Sequence, residues 1–206
     1  ITGTIGGAPI TDNATVTVNV GGASGATTVV TSNLASIAAG GATAAITVQA
    51  RDAQGNNLAG SGGLVLLNTT LGSLSAVTDN GNGTYTATLT SPAGTGTATI
   101  TGTIGGNAIT DNAVVEVIAG AASGATSTIT SNPVSPATVT VGDAVTVTVQ
   151  LRDAAGNSLT TSGGTVVISR TGTGALTATT DNGNGTYTAT LSSSVLGSAT
   201  VSATVN

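Results

Sequence analysis

Apolar and polar residues alternate with a period of two along most of this chain. In DAVTVTVQLRD, Val145, Val147, Val149 and Leu151 share one side, while Thr146, Thr148 and Gln150 take the other. That is the pattern of a strand with one buried face. Ala44, Ile46, Val48 and Ala50 repeat it, and in TYTATL the residues Tyr85, Ala87 and Leu89 alternate with threonine. In NATVTVNV the predicted inner face is Ala14, Val16, Val18 and Val20. Residues 64–67 and 166–168 are continuously apolar, which predicts strands covered on both faces. The turn sequences DAQGN, DNGNG, SPAGTG and IGGNAITDN punctuate these runs, and no segment carries a helical period.

The pattern repeats as sequence, not only as periodicity. ITGTIGGAPITDNA at residues 1–14 returns as ITGTIGGNAITDNA at 100–113, and VQARDAQGN at 48–56 as VQLRDAAGN at 149–157. DNGNGTYTATL stands letter for letter at 79–89 and at 181–191. Small shifts in spacing place short insertions near 134–142 and 170–180, where loops absorb them. A complete module runs over 21–120. Residues 1–20 match only the C-terminal strands of an upstream module, and 121–206 form a module that stops before its own copy of ITDNAVVEV. The simplest expectation is a window on a longer array. A second is that the N-terminal strand of one chain completes the last module of the next. About seven short strands per hundred residues predict an all-β fold of tandem immunoglobulin-like antiparallel β-sandwiches. The core must be aliphatic, because the Cys…Trp…Cys core of antibody domains is missing.

Composition then removes whole classes of function. Only 5% of residues are charged, against roughly 25% in an ordinary soluble domain. There is no Lys, His, Cys, Met, Trp or Phe; the cationic side chains are Arg51, Arg152 and Arg170, and the aromatics are Tyr85 and Tyr187. Without His or Cys, neither a His/Cys zinc site nor a Ser–His or Cys–His catalytic pair can be built. Without Lys there is no phosphate-loop lysine and no Schiff base. Three arginines and a net charge of −5 cannot neutralise a nucleic-acid backbone. No apolar run approaches a membrane span. The sequence therefore predicts no enzyme, no nucleic-acid partner and no membrane span in this segment.

The remaining candidates are few. DNGNG could cradle calcium, yet positions three and five from Asp79 are Gly81 and Gly83 and no acidic residue closes the loop. A hairpin turn accounts for each letter. Asp12, Asp111, Asp52, Asp153, Glu116 and Asp143 could bind calcium at module junctions, although Asp52 and Asp153 are read as ordering the turn after their strand. Arg51 and Arg152 are expected to pair weakly at the surface. Tyr85 and Tyr187 are read as packing residues, with sugar stacking as the alternative. The threonine rows fit β-propensity; ice binding or O-glycans are alternatives. Asn13, Asn68, Asn82 and Asn184 begin N-x-[ST] sequons. No catalytic, cofactor-binding or metal-binding residue is assigned.

The order RDAQGN, DNGNGTYTATLTS, AGTGTATITGTIGG, ITDNAVVEV resembles the bacterial immunoglobulin-like repeats of the invasin and intimin type, over essentially the whole chain. The resemblance implies a structural repeat segment of an extracellular bacterial filament, stalk or cell-surface protein. Its partners are then neighbouring modules and other copies of the same protein. The alternative is an adhesin segment that itself binds a receptor, a glycan or ice. The family's receptor-binding activity sits in specialised terminal domains that nothing here matches, so no functional residue is carried over.

Overall fold

The computed structural model describes residues 1–12 and 14–206, and every regular element among them is a strand. An exposed hairpin, β1 (Thr4–Ile5) and β2 (Ala8–Pro9), comes first. Residues 21–120 then supply β3 (Val29–Ser32), β4 (Ser36–Ala38), β5 (Thr43–Gln49), β6 (Val65–Thr69) and β7 (Ser73–Leu74). They continue with β8 (Thr78–Asp79), β9 (Thr84–Thr90), β10 (Gly96–Ile104), β11 (Asn107–Ala108) and β12 (Ala113–Ile118). Residues 121–206 supply β13 (Thr128–Asn132), β14 (Ala144–Gln150), β15 (Val166–Gly172) and β16 (Ala175–Leu176), followed by β17 (Thr180–Asp181), β18 (Thr186–Ser192) and β19 (Ala199–Val205).

The period-two alternation becomes two facing sheets in the first module. One runs β3-β5-β9-β7, with β8 also on β9; the other runs β11-β10-β12-β4, with β6 on the opposite edge of β10. Ile46, Val48 and Leu89 from the first sheet meet Ala98, Ile100 and Val115 from the second in one buried cluster. Each buried aliphatic side chain contributes about 1.5–3 kcal/mol of burial free energy, which has to hold the module together without disulfides. The second module repeats the first sheet as β13-β14-β18-β16, with β17 on β18, but its facing sheet is only β15-β19. Its cluster is smaller, centred on Val147, Val149, Leu151, Ile168 and Tyr187.

Three expectations need correction. Residues 64–67 and 166–168 are not covered on both faces: Val65, Val166 and Ile168 are buried, whereas Leu64, Leu66 and Val167 are exposed. A two-layer sandwich has only one inner side per sheet, so the extra apolar side chains face outward. The pairing is not wholly antiparallel, because β4 lies parallel to β12, with Ile37 opposite Val117. The chain after β3 crosses to the second sheet here and buries Ile37 in the core. Residues 14–20 are not a strand despite their alternation, and Val16 and Val18 are 68% and 91% exposed. Strand structure is a property of the pair, and these residues have no partner strand here.

Leu89→Ala therefore costs about 2–5 kcal/mol by opening a cavity in the sealed core, whereas Leu66→Ala changes stability by less than about 0.5 kcal/mol. Urea unfolding followed by circular dichroism separates the two; equal costs contradict the assignment of inner and outer faces.

Candidate functional site

The repeated DNGNG motif folds as a hairpin turn between β8 and β9. The Asp79 carboxylate accepts from the Gly81 N–H at 2.9 Å and from the Ser61 hydroxyl at 2.6 Å. Asn82 Oδ1 accepts from the Thr84 N–H and hydroxyl, and the Asn80 N–H donates to the Thr84 carbonyl. Gly83 has φ of +83°, and a Cβ there would collide with the Leu58 carbonyl oxygen. Its own carbonyl accepts from Ala50 at 2.8 Å. The second copy repeats this at Asp181, Asn184 and Gly185. Hydrogen bonds from Ser61 and Gly81 hold the Asp79 carboxyl below the usual range, and those from Gly183 and then Ser162 do the same for Asp181. The carboxylates are turn acceptors.

Tyr85 and Tyr187 are both buried. The Tyr85 hydroxyl donates to the Gly63 carbonyl and accepts from the Gly62 N–H, each at 2.8 Å; Tyr187 does the same with Gly164 and Gly163. A ring sealed in this way cannot stack on a sugar. Asn68, Asn82 and Asn184 are exposed, while Asn13 lies outside the described residues. The threonines form cross-strand rows: Thr31, Thr47, Thr86 and Thr78 stand in register across the first module, and Thr130, Thr148, Thr188 and Thr180 across the second.

The two buried acidic residues sit where a module meets the segment before it. Asp52 and Asp153 are only 2% and 4% exposed. Asp153 Oδ1 accepts from the Ala155 and Asn157 N–H groups, and Oδ2 from the Asn157 side chain at 2.8 Å and the Gly120 N–H at 2.9 Å. Asp52 repeats the set with Gln54, Asn56 and Gly21. One carboxylate thus orders its own turn and clamps the glycine that leads into its module. Thr126 adds a hydroxyl bond to the Asp153 carbonyl at 2.6 Å, as Thr27 does to Asp52. Asn157 also donates to the Ala93 carbonyl of the preceding module at 2.7 Å. With this many N–H donors on the carboxylate, the arrangement ties the leading glycine to the turn. Among the described residues, no group of three acidic side chains converges.

The other expected residues are scattered. Asp111 accepts from the Val30 N–H at 2.9 Å, Glu116 from the Thr97 hydroxyl and Asp143 from the Thr140 N–H. Asp12 is exposed. Arg51 donates to Asn57, and Arg152 to the Gly156 carbonyl, so both brace the turn instead of forming the expected ion pairs. Sequence reasoning assigned Asp52 and Asp153 to their turns but missed their reach to Gly21 and Gly120. The two contacts span 31 and 33 positions, so no fixed spacing marks them in the sequence.

Hydrogen bonds from the Asn157 side chain and then Gly120 lower the Asp153 carboxyl to about 2, against desolvation that raises it. Asp52 is lowered chiefly by Asn56. A carboxyl whose folded value lies below its unfolded value of about 3.9 stabilises the fold above that pH. The contribution fades as pH falls from about 4 to about 2. Melting temperature should therefore drop across that window, and Asp153→Asn should flatten the drop while lowering the melting temperature at pH 7. An unchanged pH profile in the variant contradicts the clamp.

The family model described as "Invasin, domain 3" matches residues 24–120 and again 123–206. No curated protein matches the sequence. Among solved structures, the chain is similar to FdeC, described as a broadly conserved Escherichia coli adhesin, at 28% identity and a TM-score of 0.69. That likeness covers 92% of this chain and 62% of that one. Invasin, described as a bacterial integrin-binding protein, aligns at 25% identity and a TM-score of 0.68, over 90% of this chain and 38% of its own. Yersinia pseudotuberculosis InvD aligns at 27% and 0.58, over 87% and 52%. The chain thus spans less than two thirds of each.

Proposed function

Because the chain belongs to the invasin domain 3 family, with two copies of that domain in succession, we propose that it is a non-catalytic structural segment of an extracellular bacterial stalk or filament. Its modules, over residues 21–120 and 121–206, act as folded spacers, and residues 1–20 as the closing strands of a module before them. The observation that carries this reading is the duplicated joint. The same aspartate clamps the same leading glycine in both modules, and the DNGNG turns are bonded alike. A recognition surface gains from loops that differ between modules; a spacer gains from loops that set one geometry repeatedly. The adhesin and cell-surface character of the relatives supports a location outside the bacterial cell. The integrin binding of invasin belongs to a chain of which only 38% is aligned here, so it is not carried over.

The rival reading, an adhesin segment that itself grips a receptor, glycan or ice, would draw on the threonine rows. On the spacer reading those rows are cross-strand pairs, each worth roughly 0.2–1 kcal/mol of sheet stability. The purified chain should show no saturable binding to host cells, glycan arrays or ice. Inserting a second copy of residues 21–120 should lengthen the particle seen by electron microscopy by one bead. Saturable binding that Thr47→Lys and Thr86→Lys abolish would favour the adhesin instead.

A further inference from the structure

Within residues 21–120 the first and last segments of the module lie side by side and run the same way. β4 pairs parallel with β12, placing Ser36 opposite Glu116, Ile37 opposite Val117 and Ala38 opposite Ile118. The Glu116 N–H donates to the Ala35 carbonyl at 2.9 Å, and the Ala39 N–H to the Ile118 carbonyl at 2.7 Å. The contact continues upstream of both strands. The Thr110 N–H donates to the Gly25 carbonyl at 3.1 Å and its hydroxyl to the Ala26 carbonyl at 3.2 Å. The Val30 N–H donates to the Asp111 carboxylate at 2.9 Å. Gly25 permits this approach, because a Cβ there would collide with the Ala108 carbonyl oxygen. Residues 25–39 and 110–118 thus form one seam, backed by the buried side chains of Ile37, Val115 and Val117.

The seam joins the two places where the chain enters and leaves the module. At one end Gly21 is bound to Asp52 and Gly25 lies against Ala108. At the other, Gly120 lies beside the Ala39 carbonyl. Because the two segments are parallel, a pull along the chain draws residues 25–39 toward the entry and residues 110–118 toward the exit. The bonds of the seam are then loaded along the strands and share the load, so they must fail together. Neighbouring strand ends pulled apart sideways behave differently. Their bonds break one at a time, each worth only about 0.5–1.5 kcal/mol.

We propose that this seam bears tension: it makes the module resist force applied from entry to exit far better than force that peels its last strand. The inference deepens the spacer reading and rests on it, because a stalk or filament carries tension along its length.

Single-molecule force spectroscopy on the full chain tests it. The chain has no cysteine, so an introduced pair defines the pulling axis. Gly22→Cys with Ala121→Cys, both at exposed positions, loads the seam lengthwise. Gly94→Cys with Ala121→Cys pulls from the exit end alone and peels β12 from β10, where Gly96 faces Val117. Gly22 and Gly94 have open space for the added side chain, so neither pair disturbs the fold. The unfolding force should be at least about twofold higher lengthwise than in peeling. Under lengthwise load, Ile37→Ala should lower that force well beyond Ile46→Ala, although both truncate buried isoleucines and both weaken the module in urea. Equal forces along the two axes overturn the proposal, as does an equal loss of force in the two variants. Either result leaves the spacer reading standing, since that reading fails on saturable binding instead.

Discussion

Pairing of backbone edges is the constraint on which this molecule depends. With 5% charged residues and two tyrosines as its only aromatics, the chain has little besides aliphatic burial and strand ladders to hold it. Every buried backbone donor and acceptor must find a partner, and in a sandwich the strand that provides the last ladder also covers the core. In the first module that strand is β12, which occupies the free edge of β10, receives β4 on its other side and buries Ala113, Val115 and Val117. The second module has the same first sheet but only two strands facing it. Its core residues are correspondingly more exposed.

The few polar groups act locally within this frame. Asp79 and Asp181 shape hairpins, the tyrosine hydroxyls satisfy a buried loop, and Asp52 and Asp153 tie each module to the glycine before it. The chemistry-bearing residues have architectural tasks, which is why a chain so poor in charge can still set a defined joint between modules.

Much of this was legible in the sequence because it depends on local rules. The inner faces of β5, β9 and β14 follow from alternation alone, and DNGNG reads as a turn because Asn and Gly suit it. The junction was half legible: turn chemistry pointed to Asp52 and Asp153, but their bonds to Gly21 and Gly120 cross 31 and 33 positions and leave no periodic mark. The exposed sides of Leu66 and Val167 were misread, because an apolar run does not reveal how many layers will cover it. Residues 14–20 were misread for the deeper reason that alternation reports the capacity to form a strand, while a strand also needs a partner edge, which these residues do not have here.

The central claim is that closure of the second sheet depends on a strand of the ITDNAVVEV type. Amide hydrogen exchange tests it most directly. The N–H groups of Ala98 and Ile100 lie on the edge of β10 shared with Gly102, whose carbonyl accepts from Ile109, and they pair with β12. Those of Ala199 and Val201 lie on the unpaired edge of β19. The account predicts exchange at least about 100-fold faster for Ala199 and Val201 than for Ala98 and Ile100. Equal protection at the two pairs of sites would contradict it.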